Sequence, residues 1–493
     1  MLTDARLKRP PSSTLVQHVH AIELGAQLEA AEEFVHIDLA HVLMLTSTGI
    51  LDKATGASMC KALLELLGCE SHRLKDCDPS LGSITLQIEA YLQEKCGEIG
   101  GNIQLARSRI DQNAEGMRLI NRHGLLEATA AALNLAATQL MRAERDAGRI
   151  IPGYTHLQHS QPTTMGHYLN AHYWVTSRNI DRFIEAYGRV NLCALGGAAH
   201  SGSSWPIDRD LTARYLGHSG PVPNARDAGM SSLDIGAEIA SALALCLSGM
   251  SRLASDLYFW SSSEVRLVRI PAELCGTSSM MPQKRNPISL ERIRALSGES
   301  AGWSAGQIGM MHYASSTDAD QAYVHNRVPL YCSETAGAAT LLAEAIDGME
   351  VDFERMALSA GSQWSTATAL ADDIVKRAGL SFRDAHDIVA RVVRLSEETG
   401  NPDARELLRA AAREARLDMD FAGIDAASVL GLDRFITSHQ SSGGTSPRAF
   451  RELMRQALEC HERQSHAVAE IGTALAAAAR TLLHDAHTLA ASA

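Results

Sequence analysis

Ile239-Ala-Ser-Ala-Leu-Ala-Leu-Cys-Leu-Ser-Gly-Met-Ser-Arg-Leu-Ala-Ser-Asp-Leu-Tyr-Phe-Trp260 is the stretch whose reading decides the fold. Ile239, Leu243, Cys246, Met250, Leu253, Leu257 and Trp260 fall at alternating steps of four and three, a heptad seam kept for three repeats. Such a helix packs along its neighbours at a shallow angle, so part of the seam is expected between helices of one chain and part between subunits. Upstream, the stretch from Asp111 to Ala147 is as strongly helical, with Gly116 and Gly124 as its weak points. Pro152-Gly153 breaks it, and the next helix is expected from about Pro162 to Gly188. The best strand candidate is the short run Val265 to Ile270, ended by Pro271. The Ala-rich tail from Ala467 reads as a capping helix, and the leader through Ser13 reads as disordered.

These readings predict an all-α protein built on long bundled helices. The expected division is an N-terminal helical domain over 1–111, a central long-helix domain over 112–360, and a C-terminal helical domain over 361–493. Composition agrees with a globular chain: 493 residues, 45% hydrophobic, 21% charged. The net charge of −12, with no basic block, argues against a nucleic-acid or anionic-membrane surface. A few local cations would still suffice for a small anionic substrate. The nine cysteines contain no CxxC pair, which fits a reducing cytoplasm. No apolar leader opens the chain, so no signal peptide is read. The run Ile235 to Met250 is read as too short, and too interrupted by Gly236 and Glu238, to span a bilayer.

Chemistry concentrates in Gly276-Thr-Ser-Ser-Met-Met-Pro-Gln-Lys-Arg-Asn-Pro287. This polar loop, within an expected signature segment 273–289, carries two serine hydroxyls (Ser278, Ser279), an ammonium (Lys284) and an amide (Asn286). A phosphate-binding GxxxxGK[ST] loop is not met, because no glycine precedes Lys284 and Arg285 follows it. The order Ser-Ser-x-Met-Pro-x-Lys-x-Asn-Pro resembles the signature of the fumarase/aspartase superfamily. Other segments narrow the resemblance to its argininosuccinate lyase/δ-crystallin branch. They are His36 to Met44, Ala106-Arg-Ser-Arg-Ile-Asp-Gln112, Pro152-Gly-Tyr-Thr-His-Leu-Gln158 with Gln161-Pro162, Pro206-Ile-Asp-Arg209, Ser381-Phe-Arg-Asp-Ala-His386 and Gly443-Gly-Thr-Ser-Pro447.

The resemblance implies three all-α domains in a D2 homotetramer with a twenty-helix central bundle, each site being shared by three subunits. It implies a carbon–nitrogen lyase: base-catalysed, reversible elimination of an amine from an N-substituted aspartate, leaving fumarate or a close analogue. Removing a proton next to a carboxylate needs a base, donors that stabilise the anion as it forms, and help for the leaving nitrogen. By resemblance Ser278 is the base, with Ser279 its nearest confounder. Lys284 and Asn286 clamp a carboxylate, helped by Thr155 and Gln158. His156, oriented by Glu291, is a proton donor or electrostatic helper, and which residue is the general acid stays open. Ser108 and Arg109 hold a second carboxylate, and Tyr313 contacts substrate. No cofactor and no metal are expected. The histidines 18, 20, 36 and 41 have no carboxylate or cysteine at a spacing that completes a ligand set.

Departures from the branch cluster on the side of the amine. Ile110, Gln104 and Asp38 replace its usual residues, and the stretch Gly229-Met-Ser-Ser-Leu-Asp234 lacks its arginine. Asp318 and Gln321 stand where it carries glutamine and lysine. These changes predict poor cleavage of argininosuccinate and better use of another N-substituted aspartate. The alternatives are argininosuccinate lyase itself, or a catalytically silent δ-crystallin-like structural tetramer.

Overall fold

Seven buried side chains at heptad spacing carry the long helix that the sequence places over 239–260. In the computed structural model, which describes residues 9–230, 232–312, 327–416, 421 and 423–492, all seven are buried within the single chain. The seam is therefore used inside the protomer, against its own helices, and not between subunits as expected in part. Twelve helices organise the fold, and we number them in order. Three belong to the N-terminal part: α1 (Ala31–Ser47), α2 (Lys53–Leu67) and α3 (Ile84–Cys96). Then come α4 (Arg109–Arg145), α5 (Met165–Val190), α6 (Ser232–Trp260), α7 (Ile288–Ser300) and α8 (Arg327–Gly348). Last are α9 (Ala367–Ala378), α10 (Phe382–Thr399), α11 (Ala404–Glu414) and α12 (Pro447–Ala490).

The direction of each long helix follows from what ties its ends. At the C-terminus of α4, the Arg142 guanidinium donates to the carbonyls of Ile346, Asp347 and Met349 at the C-terminus of α8. Near the start of α4, Arg118 donates to the carbonyls of Arg189 and Val190, where α5 ends. So α8 runs parallel to α4, and α5 runs against it. Asp352 N–H donates to the Leu267 carbonyl, and Leu267 N–H to that of Trp260, which puts the end of α6 beside the end of α8. The glycines in α4 mark close approaches. A β-carbon on Gly116 would lie 2.5 Å from Phe34 Cζ, and one on Gly124 would lie 3.1 Å from Cys332 Cβ.

Helix α6 is long and apolar enough to cross a bilayer by length and composition. That corrects the expectation of a run too short. Its apolar seam is nonetheless spent on the protein's own core. Among the described residues, strands are only four antiparallel pairs of two residues each: β1 (Ile150–Ile151) with β4 (Thr163–Thr164), β2 (Tyr154–Thr155) with β3 (Gln158–His159), β5 (Val268–Arg269) with β8 (Glu350–Val351), and β6 (Gly276–Thr277) with β7 (Arg285–Asn286). The candidate run 265–270 keeps only its Val268–Arg269 portion as strand.

The tail helix begins twenty residues earlier than the Ala-rich composition suggests. Ser446 caps it by accepting from Ala449 N–H, and Pro447 occupies its first position. Phe450, Met454 and Ala457 of α12 join the cluster around α4, α5 and α6, while Leu482 and Ala486 join the N-terminal cluster. A third cluster lies within 370–429.

Candidate active site

Ser108 and Arg109 stand at the N-terminus of α4, where the first amides of a 37-residue helix favour an anion. A capping box forms the start: Ser108 N–H donates to Asp111 Oδ1 at 2.8 Å, and Ser108 Oγ accepts from Ile110 N–H at 3.4 Å. A hydroxyl that accepts still has its own O–H to give. Asp111 Oδ2 also accepts from the amides of Gly196 and Ala198, at 3.0 and 2.9 Å. Burial raises its carboxyl above the ordinary range against the pull of these donors. One turn on, Glu115 Oε2 accepts from Ala194 N–H at 2.6 Å, and Oε1 meets His218 Nε2 at 2.5 Å. Arg209 Nε holds the Leu195 carbonyl at 2.9 Å. The glycine-rich loop 195–204 is thus braced against the start of α4.

The block that carries His156 folds as a two-residue hairpin, not as a helix cap. Thr155 pairs with Gln158, and His156 and Leu157 fill the turn with φ of 55° and 58°. Positive φ at both positions is the requirement of a type I′ turn, which favours Asn-Gly. A histidine and a leucine held there store strain of order 1–3 kcal/mol each, the kind of outlier that clusters at functional sites. Thr155, His156, Leu157 and Gln158 are all exposed. The hairpin is anchored behind its tip by Tyr154 against Phe259, ring centroids 6.1 Å apart, and by His159 Nε2 with Ser359 Oγ at 3.0 Å.

The signature loop springs from β6 and β7, with Gly276 opposite Asn286. Arg285 Nη2 donates to the Ile270 carbonyl at 2.9 Å and pins the base of the loop. At its turn, the amides of Met280 and Met281 both donate to Ser278 Oγ, at 3.3 and 3.0 Å. Lys284 is exposed on this arch, Ser278 is half-buried in it, and Met280 is 87% exposed. Asn286 is half-buried at its foot. Glu291, in the first turn of α7, accepts from Tyr258 O–H at 3.2 Å. Among the described residues no hydrogen bond joins it to His156 within the chain. Tyr313, Asp318 and Gln321 lie outside the described residues.

These groups sit at opposite ends of the protomer. Ser108 and Arg109 open α4, and the His156 hairpin follows its close. At 1.5 Å per residue, a 37-residue helix separates them by about 55 Å. The signature loop lies at the hairpin's end, beside the C-termini of α6 and α8. One chain therefore brings Ser108 with Arg109, Thr155 with His156 and Gln158, and Ser278 with Lys284 and Asn286, but it cannot join the first group to the others.

Two buried groupings were invisible to local spacing. Asp38 Oδ1 pairs with Arg107 Nη2 at 2.6 Å, both side chains almost fully enclosed. Asp38 thus arrives with its own counter-ion and adds no free carboxylate to a substrate pocket, which corrects one premise of the expected specificity. Glu115, Cys193 and His218 place their ligand atoms within 4.8 Å of one another. Burial alone would raise the Glu115 carboxyl, but His218 and the Ala194 amide hold it below the usual range. Its oxygens are already committed to those partners, so the group reads as a loop brace. The residues are 78 and 25 positions apart in sequence, and only the fold unites them.

A family model described as lyase matches residues 45–302, and one described as argininosuccinate lyase C-terminal matches residues 364–437. The argininosuccinate lyase of Methanocorpusculum labreanum is 34% identical over 463 residues, 92% of each chain. The structure of EDDS lyase in complex with formate superposes with a TM-score of 0.85 at 30% identity, covering 100% of this chain and 99% of that one. An EDDS lyase variant with bound fumarate gives 0.85 at 29%, over 98% and 99%.

Proposed function

The chain belongs to the argininosuccinate lyase branch of the fumarase/aspartase superfamily, and from that premise we propose how its own residues carry the reaction. It is a carbon–nitrogen lyase that releases fumarate from an N-substituted aspartate. Ser278 removes the proton from the carbon next to a carboxylate of the succinyl half. The electron pair becomes the new C=C bond as the C–N bond breaks, and the nitrogen leaves with a proton supplied from the other face. Lys284 and Asn286, with Thr155 and Gln158, hold one carboxylate of that half, and Ser108 and Arg109 hold the other. His156 contributes the protonating or electrostatic group, oriented by Glu291 on the helix that follows the signature loop.

The observation that carries this reading is the pair of amides aimed at Ser278 Oγ. Donors directed at an oxygen stabilise its deprotonated form, which a serine needs to act as a base. No such pair serves Ser279 among the described residues. Fumarate absorbance during turnover tests it. Ser278→Ala is expected to lose activity about a hundredfold or more, while Ser279→Ala keeps most of it. The reverse ranking assigns the base to Ser279.

We read the functional unit as a homotetramer of small-molecule lyase sites, in the cytoplasm, with no metal and no cofactor. The about 55 Å between the α4 N-terminus and the His156 hairpin requires a second chain. Met141, Leu245 and Leu330 on the long central helices remain 63%, 53% and 53% exposed in one protomer. We assign those side chains to contacts with neighbouring subunits. The three helical domains divide near 111 and 360, with α12 reaching back across the first two.

For the amine, arginine is disfavoured. Ile110 offers no polar contact, and the stretch 229–234 carries no arginine. A kcat/KM for argininosuccinate below about 10⁴ M⁻¹s⁻¹ is expected, and a higher value would make the enzyme an argininosuccinate lyase in the strict sense.

A further inference from the structure

His200 is held in an unfavourable backbone conformation and has no hydrogen-bond partner for its buried nitrogen. Its φ is 77°, in the left-handed region, two residues after Ala198 at 49°. Glycine adopts that region freely, and asparagine, aspartate and histidine are the other residues that enter it most often, at a cost. Its Nδ1 is buried with no hydrogen-bond partner among the described residues. Strain and an unmet polar atom on one side chain both cost stability.

The surroundings place this ring beside the proposed carboxylate clamp. A β-carbon on Gly229 would lie 2.9 Å from Ile110 Cγ2 and 3.1 Å from both His200 Nδ1 and Cε1. Glycine is thus what lets the ring close down onto Ile110, the residue immediately after Arg109. Hydrogen bonds brace the loop on either side of the ring. Asp111 holds Gly196 and Ala198, Glu115 holds Ala194, and Gly202 N–H donates to the Gly197 carbonyl at 3.1 Å. The Nδ1–Cε1 edge faces Gly229, and Nε2 is the ring's other nitrogen.

We propose that His200 is a specificity-determining residue, its Nε2 meeting an oxygen acceptor on the amine half of the substrate. This rests on the lyase reading above. In that reading both carboxylates of the succinyl half already have partners, one at Lys284 and Asn286 and the other at Ser108 and Arg109. A further hydrogen-bonding group next to Arg109 then serves what lies beyond the succinyl half. The substrate class is an N-substituted aspartate whose amine portion carries its own carboxylate or carbonyl oxygen.

The test separates binding from chemistry. In a Ser278→Ala background of the full-length protein, calorimetry measures Kd for EDDS, for argininosuccinate and for fumarate, with His200 intact or replaced. His200→Ala should weaken the better-bound of EDDS and argininosuccinate about tenfold, as loss of a well-placed hydrogen bond does, and leave fumarate within a factor of two. His200→Asn and His200→Gly both accept positive φ, so both should at least match the parent in thermal stability while binding that ligand as poorly as His200→Ala. Unchanged Kd for both larger ligands overturns the assignment. So does an equal loss for fumarate, because His200 would then serve the succinyl half. A wild-type protein that forms no fumarate from any N-substituted aspartate overturns the lyase reading instead, through a separate assay.

Discussion

His156 and Leu157 sit side by side in left-handed conformation, φ 55° and 58°, at the exposed tip of the β2–β3 hairpin. Two neighbouring non-glycine residues of this kind form a turn that the backbone alone would assign to Asn-Gly. The side chains are therefore retained against local preference. His156→Asn keeps a residue that tolerates the turn, so melting temperature should hold or rise slightly. Activity should fall about a hundredfold or more if the imidazole moves a proton. Fumarate absorbance and a thermal melt on the same preparation check both halves. Retained activity would show the histidine to be a spectator.

Arg109 and His156 belong to opposite ends of α4, so no single chain can use both in one site. Arg109→Ala and His156→Asn proteins should each be nearly inactive. Unfolded and refolded together, they should recover turnover, because mixed oligomers contain sites built from the intact end of each chain. Mixtures as inactive as their parents would exclude a site shared between subunits.

Asp38 and Arg107 form an enclosed ion pair in which Arg107 Nε and Nη1 already lack partners. Asp38→Asn would strand the guanidinium charge in the core. The expected loss is about 3–5 kcal/mol, the usual cost of removing one member of a buried pair, read from urea unfolding. Replacing both residues by apolar ones of similar volume should recover most of it. A loss under 1 kcal/mol for the single change would mean that water reaches the pair.

His172 predicts a specific acid sensitivity. Burial first, and the Arg252 charge second, hold its imidazole down to about 4. Its unfolded value is near 6.5, so the unfolded chain takes the proton first as pH falls. The stability it contributes is whole above about pH 6.5 and is lost between about pH 6.5 and 4. Each unit is worth ~1.4 kcal/mol, which bounds the loss at about 3.5 kcal/mol. His172→Gln should flatten the drop in melting temperature between pH 7 and pH 5. An identical drop in the variant would place the sensitivity on other groups.

The helical architecture was legible because periodicity is local. The spacing of Ile239 to Trp260 marks a seam whether or not a partner is known, and all seven of its residues are buried. The signature loop was legible for another reason: Ser278, Lys284 and Asn286 are close in sequence, so their order survives without a fold. Pro447 and Ser446 could have shown the true start of the last helix, but its Ala-rich second half drew the boundary toward Ala467.

Only tertiary structure decided the rest, because it depends on contacts between residues far apart along the chain. The sequence by itself determined that long helices form, where they break, and which loop resembles the family signature. It could not show that Asp38 meets Arg107, that Glu115 meets His218 across 103 positions, or that His200 closes on Ile110 and Gly229. Nor could it show that His156 occupies a strained turn, since φ is imposed by the Thr155–Gln158 pairing around it. The distance from Ser108 to His156 also belongs to the fold: a straight α4 converts a modest sequence separation into opposite ends of the protomer.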